Sequence, residues 1–498
     1  MPTMRGFSVM PLLPVSFCLM AGIAVGHWLQ PAFPLLPVLV ATLIAAFACH
    51  RWALVQTIVI AVCCVALGMT LSQRQPDDDV SVAGQELEAV VMSEPAERPK
   101  TIGVDLLVFG CGQDGRSGSS SRGGRTLHCY ISKDERSRRM GLGDAIVLTV
   151  RPPRNYSHTQ LPRLHGKAGS ANFFFVSSRD WHPGGTALSQ LSRWQRLRLW
   201  FLYKRHALLQ KYHEMNAAEE EYAVLAAMTL GDKSGQVKEL RDTYSVSGAS
   251  HILAISGLHV GIVYMLLTWF MLGRRRFWLL QVVLVVAIWA FAMLTGLSAS
   301  VTRAATMISI YAVFSGRGGR SSGLNILCFA AIVMLVADAS TLFDISFQLS
   351  YAAVFAILLF MPLLQSMYQP QNVVLRWGWN IILVSICAQV GTAPLVAYYF
   401  GRLPVYFLLT NLLVIPAATA IFFGSLLSLL FPVASAALLW VVRLMNGVLR
   451  LIASLPGAAI DGLHPTVVQV ALVYVFFLLC YFILRLWPRN QTRNSLTW

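Results

Sequence analysis

Charge is scarce in this chain. Only 12% of its 498 residues are charged, against about 25% in an ordinary soluble domain. With 56% apolar residues and a mean hydropathy of +0.60, that shortage excludes a soluble globular protein of this size. Disorder and a coiled coil are excluded too. Acidic residues are the rarer sign, 23 against 39 Lys and Arg, for a net charge of +16. The excess fits cationic cytoplasmic loops of a membrane protein and equally a polyanionic cargo. Metal-ligand spacing is missing: no C-x-x-C, H-E-x-x-H or H-x-H-x-D-H occurs, so no metal or other cofactor is expected. Gly231-Asp232-Lys233-Ser234 lacks the upstream Gly of a Walker A loop. No complete catalytic constellation is visible, and no enzyme activity is expected.

Cysteines are few outside the apolar runs, where Cys acts as a small hydrophobe. Only Cys111 and Cys129 stand in the polar segment. A disulfide between them would close a short Gly/Ser loop, contribute ~3 kcal/mol and require an oxidising compartment.

The apolar runs predict a polytopic α-helical membrane protein of about twelve spans. Runs at residues 7–29, 33–49 and 52–71 form an N-terminal three-helix membrane anchor within residues 1–76. Arg5 and His50-Arg51 flank these runs, which puts the N-terminus in the cytoplasm. Residues 77–186 read as soluble and extracytoplasmic. Strand patterns at 85–92, 101–109, 126–131, 144–150 and 172–177 point to a small β-barrel of OB type, and an open sandwich fits the same strands. Residues 187–246 are amphipathic. From 187 to 214, Arg and Lys alternate with Trp and Leu, which suits a helix in the headgroup region. Residues 247–487 hold nine further runs, one of them broken at Pro416, and 488–498 form a cytoplasmic tail. The expected location is the cytoplasmic membrane, with both termini inside.

Polar residues that break the apolar runs mark candidate sites. On a helical wheel, His251, Ser256 and His259 share a face, and Gly257 and Gly261 lie on a small-residue face for close helix contact. Two imidazoles on a membrane helix either line a pathway or are satisfied structurally. A Ser256–His259 nucleophile pair is a weaker alternative. Arg303 stands inside a late span, where it needs a partner, water or an anion, unless it snorkels. Asp344, Gln348, Gln389 and Asn411 interrupt three other runs, as permeation sites do, though proline kinks alone would also explain the breaks. In the soluble segment Lys133, Arg136, Arg138, Arg139, Arg151, Arg154, Arg163 and Lys167 form a basic stretch for phosphate contacts. Tyr130, Tyr156 and Phe173 to Phe175 offer rings for base stacking, although the Phe triplet reads better as strand core.

Ser250 to Gly261, S-H-I-L-A-I-S-G-L-H-V-G, resembles the signature of ComEC-type competence proteins, a family of inner-membrane DNA-uptake channels. Gly231 to Ser234, Thr302-Arg303-Ala304, Ser346 to Ser350, Gln389 to Pro394 and Asn411 to Pro416 resemble its other blocks. The resemblance implies a channel for single-stranded DNA in natural transformation, working in the bilayer with a DNA receptor and a nuclease or ATPase, and open to homo-oligomerisation. Many members carry a metallo-β-lactamase-like domain, and its motif is not found here, so cleavage of the other strand is expected from another protein. A secondary transporter of another anionic solute or polymer is the alternative.

Overall fold

The computed structural model describes residues 11–29, 35–73, 86–97, 100–110, 125–149, 173–185, 187–215, 217–232, 234–270, 278–315 and 322–486. They fall into two compact units. The first comprises the described residues of Met1–Arg241, His251–Phe347 and Ala418–Leu444, and the second those of Asp242–Ser250, Gln348–Ala417 and Met445–Trp498.

The first unit opens with α1 (Leu12–Leu29), α2 (Leu36–Ala48) and α3 (Ala53–Gln73). Gly22 and Gly26 sit one turn apart on α1, and Gly68 faces them on α3. A Cβ on Gly22 would strike the Val65 carbonyl, one on Gly26 would lie 2.8 Å from Met69 Cα, and one on Gly68 would strike the Leu19 carbonyl. The two backbones therefore touch, a contact that only Gly permits and that gives dispersion where lipid offers no hydrophobic drive.

The sheet comprises β1 (Glu86–Val91), β2 (Ala96–Glu97), β3 (Thr101–Gly110), β4 (Arg125–Ser132), β5 (Ala145–Thr149), β6 (Phe173–Val176) and β7 (Trp181–Pro183), with the short turn α4 (Glu135–Arg138) after β4. The five predicted strands are present; β2 and β7 are additional. Strand order is β6-β4-β3-β1-β5-β7, with β2 also on β3. The order ends at two different edges, β6 and β7, so a closed barrel is not shown among the described residues. Ile102, Val104, Leu106 and Val108 alternate into one core with Cys129 and Ile131, as period-two patterning requires. Burial and the Asp105 carboxylate push the Cys129 thiol up to about 12. Cys111, its proposed disulfide partner, lies outside the described residues.

The opposite face of the sheet is covered by α5 (Ala187–Gln190) and α6 (Arg193–His213). Leu191, Leu199 and Leu202 pack there on Val90, Met92 and Leu107. One side of α6 is thus protein-facing, a departure from a helix simply laid among headgroups. Then follow α7 (Glu219–Leu230), α8 (Lys238–Ser247), α9 (Gly257–Phe270), α10 (Trp278–Leu294), α11 (Ala299–Ser315) and α12 (Gly323–Ala337). Glu221 of α7 accepts the Ala218 N–H and forms a two-pronged ion pair with Arg443.

The chain continues through α13 (Ile345–Met367), α14 (Val373–Phe400), β8 (Arg402–Pro404), α15 (Phe407–Leu430), α16 (Ser435–Ala453), β9 (Ala459–Asp461) and α17 (Val467–Leu486). In the second unit, a Cβ on Gly391 would strike the Ala352 carbonyl, and Tyr474 Oη donates to the Gly391 carbonyl at 2.7 Å. Pro416 lies inside a continuous α15, so the expected break there does not occur.

Among the described residues seven helices, not twelve, are long and apolar enough to cross a membrane: α1, α3, α13, α14, α15, α16 and α17. Four more, α2, α9, α10 and α12, are apolar but have 10–17 residues, short of the ~20 a full crossing needs. At α9 a turn takes up part of the apolar run. Residues 251–256, read as the start of a span, are non-helical, and α9 begins only at Gly257.

Two outcomes test this packing. Gly68→Leu should lower the thermal midpoint in detergent or prevent folding, since overpacking costs ~1–3 kcal/mol or more; a midpoint equal to wild type would contradict the contact. Cys129 should resist iodoacetamide at pH 8 in the folded chain and react after denaturation.

Candidate functional site

Three polar turns interrupt the helices of the first unit: residues 231–232 and 234–236 after α7, 251–256 before α9, and 295–298 between α10 and α11. They meet at Gly231, which caps α7 in the left-handed region at φ 73°. A Cβ there would stand 3.1 Å from both Ile255 Cδ1 and the Thr295 carbonyl. Gly fits the conformation and the space at once. Gln236 Nε2 donates to the Leu253 carbonyl at 3.1 Å and joins the first two turns.

Asp232 is buried within this knot. Its oxygens accept from Ser234 N–H at 3.2 Å and Ser234 Oγ–H at 2.7 Å. Arg205 of α6 places Nη2 3.5 Å from Asp232 Oδ1. A Cβ on Gly296, at φ 82°, would lie 3.3 Å from Arg205 Nη1, and Leu297 follows at φ 57°. A non-Gly residue in that region is strained and persists only where its surroundings hold it.

His251 and His259 part company. His251 is exposed in a turn, whereas His259 is fully buried in α9. They do not form a shared helix face, because the chain is not helical before Gly257. Ser256 caps α9: its Oγ accepts the Leu258 N–H at 3.3 Å, while His259 Nδ1 accepts the Ser256 N–H at 3.1 Å. This is a variant of the capping box, with the hydroxyl on the N2 amide and imidazole in the place of Glu or Gln. Because Nδ1 accepts a backbone proton, the ring is neutral with its proton on Nε2. Nε2 is buried, with no hydrogen-bond partner among the described residues. The Ser256 hydroxyl stands 3.2 Å from the same Nδ1, but that lone pair already serves the amide, which leaves a poor base for a nucleophile. The Phe422 ring lies 6.0 Å from the imidazole, and Phe291 packs on Phe422.

A Cβ on Gly257 would lie 3.8 Å from Ala304 Cβ, an ordinary contact, and a Cβ on Gly261 would have nothing within 4 Å among the described residues. The expected close-contact face is therefore absent at these two glycines; α1 and α3 carry one instead. Arg303 is 2% exposed on α11, so it does not snorkel. Its neighbours Val301 and Ala305 join Ile255 and Val260 in one cluster. Asp344 accepts the Ser346 N–H at 3.1 Å and caps α13. In the second unit, Gln348 Oε1 accepts from Tyr399 Oη at 2.7 Å. Gln389 is half-buried on α14. Asn411 keeps a buried Oδ1 with no hydrogen-bond partner among the described residues. The candidate residues thus divide between the units.

On the sheet, Arg136, Arg138 and Arg139 are exposed on a turn pinned from below by buried Ser137, which donates to the Ser132 carbonyl at 3.0 Å. Lys133 pairs with Glu97 at 3.3 Å. Arg151, Arg154, Arg163, Lys167 and Tyr156 lie outside the described residues. The Phe triplet is not simply core. Phe175 is 52% exposed and stands opposite Tyr130 in the parallel β4–β6 register. Tyr130 lies edge-on to His128 at 5.1 Å, over Gly103. His128 Nδ1 meets Asp105 Oδ1 at 2.5 Å. The result is an aromatic ledge on β4 and β6, exposed at Phe175, and β4 leads into the turn that carries the three arginines. Alternation along β6, applied strictly, foretells it.

The polar knot predicts a split between two substitutions. His259→Gln keeps an acceptor for the Ser256 amide and should hold the thermal midpoint near wild type, while His259→Ala should cost ~1 kcal/mol as a lost cap does. Equal losses from both would show that the cap is not what His259 supplies.

A family model described as Competence protein matches residues 228–487. The chain is similar to ComE operon protein 3 of Bacillus subtilis (strain 168), 32% identical over 198 residues that cover 39% of this chain and 24% of that protein. It is also similar to an uncharacterized protein of Aquifex aeolicus (strain VF5), 29% identical over 42% of this chain and 48% of the relative. The uncharacterized protein YcaI of Escherichia coli (strain K12) is 26% identical over 40% of this chain and 28% of its own length. The matches therefore span less than half the length of each of these relatives. No solved structure matches.

Proposed function

The chain belongs to the Competence protein family, and on that premise we propose that it acts in DNA uptake during natural transformation, as a multi-pass channel that conducts single-stranded DNA across the cytoplasmic membrane. The observation that carries this reading is the extent of the family match. Residues 228–487 take in the three turns at Gly231, buried Arg303, and Gln348, Gln389 and Asn411.

Single-stranded DNA carries a negative charge on every nucleotide, so a corridor for it must offer donors and cations where water is excluded. Backbone that leaves a helix at membrane depth is tolerated where protein buries it or where it lines a wet cavity. The Arg303 guanidinium and the His259 Nε2–H, which has no partner among the described residues, are groups of the required sign, and they lie on two helices, α11 and α9, that pack together. In this reading the sheet is extracytoplasmic and both termini are cytoplasmic. Arg136, Arg138 and Arg139 hold phosphates irrespective of sequence, and the Tyr130–Phe175 ledge stacks bases. A DNA receptor and a nuclease or ATPase act beside the chain, and bond cleavage is assigned to them. A transporter of a different anionic solute shares the interrupted helices but has no use for the ledge.

Uptake of DNA labelled separately on each strand, in wild-type cells and in cells lacking the gene, tests the reading. One label should enter wild-type cells and neither should enter the deletion strain, which still binds DNA at its surface. Normal transformation without the gene would reject the proposal. Tyr130→Ala combined with Phe175→Ala should weaken oligodeoxynucleotide binding roughly tenfold, because stacking contributes ~1–3 kcal/mol per base. Unchanged affinity would remove the ledge from the path.

A further inference from the structure

α6 has two unlike sides. Leu199 and Leu202 are pressed onto the sheet, and Tyr203 Oη donates to the Leu142 carbonyl at 2.9 Å, so the helix is locked in rotation. At 100° per residue, Arg193, Arg196, Leu197, Trp200, Lys204 and Lys211 then fall within an arc of about 100° on the other side. All six are exposed. Trp200 is 51% and Leu197 43% exposed, and Lys204 Nζ stands 5.4 Å over the Trp200 ring. No Asp or Glu occurs anywhere in Arg193–His213. The helix also packs against α10, one of the short apolar helices.

We propose that this stripe rests on an anionic phospholipid headgroup surface, with Trp200 and Leu197 at the boundary with the acyl chains and the four cations on the phosphates. Three observations support that occupant. Charge on the stripe is of one sign, and Lys or Arg near an anionic leaflet is drawn to it. Trp beside a long cationic side chain is the pairing that the membrane interface favours, because ring and alkyl stem stay in apolar surroundings while the polar ends reach water. Contact with α10 sets the helix beside one of the apolar helices. The sheet is then held on the membrane surface by its own covering helix. This inference does not depend on DNA transport.

The test uses the full chain with Trp200→p-benzoylphenylalanine, reconstituted in vesicles of phosphatidylcholine alone or mixed equally with phosphatidylglycerol, with and without oligo(dT). Irradiation should yield lipid adducts at position 200, increased about threefold by phosphatidylglycerol and unchanged by oligo(dT). In the same background, Arg193→Gln, Arg196→Gln, Lys204→Gln and Lys211→Gln together should abolish the phosphatidylglycerol effect while adducts persist. An adduct to oligo(dT), the absence of lipid adducts, or a yield indifferent to lipid charge in the cationic chain would overturn the proposal.

Discussion

Peptide groups that leave a helix among apolar neighbours must find their hydrogen bonds inside the protein, since hydrocarbon supplies none. The first unit meets this constraint by knotting three turns together. Gly231 lets them approach, Gln236 joins two of them, and Asp232 gathers the Ser234 amide, the Ser234 hydroxyl and Arg205. Helix α9 begins, α10 ends and α11 begins at this knot. Polar ends deep in an apolar chain are also what a corridor for a charged polymer requires, so the constraint on folding and the proposed function converge on the same residues.

α6 links this knot to the sheet. Its leucines lie on Val90, Met92 and Leu107. One turn further on, Arg205 reaches Asp232, and His206 Nδ1 meets Glu94 Oε1 at 3.1 Å. A shift of the sheet would be felt at Asp232 through one rigid helix. Arg205 is placed where its loss would leave a buried carboxylate without its cation, a penalty larger than the net value of the pair itself.

Much of this architecture is legible in the residues. The apolar runs coincide with helices, and the alternation at Ile102, Val104, Leu106 and Val108 marks the sheet core. The polar breaks at Ser256, His259 and Asp344 mark caps. What misleads is the assumption that a long apolar run is one helix. The S-H-I-L-A-I-S stretch is as apolar as a span, yet its backbone turns, so a helical wheel joins His251 to His259 when one is exposed and the other buried. Gly257 and Gly261 have the spacing of a close-contact face but lack the neighbour; Gly22 and Gly68 have the neighbour.

Composition and patterning alone determined that the chain is a membrane protein with a polar sheet domain inserted among its helices, because hydropathy and strand alternation are local properties that no fold can hide. Only the tertiary structure decided which helices are long enough to cross, that Ser256 and His259 cap α9, and that Phe175 faces outward while Cys129 faces in. Those outcomes depend on which turn meets which, and contacts between residues far apart in the chain leave no periodic trace in its order.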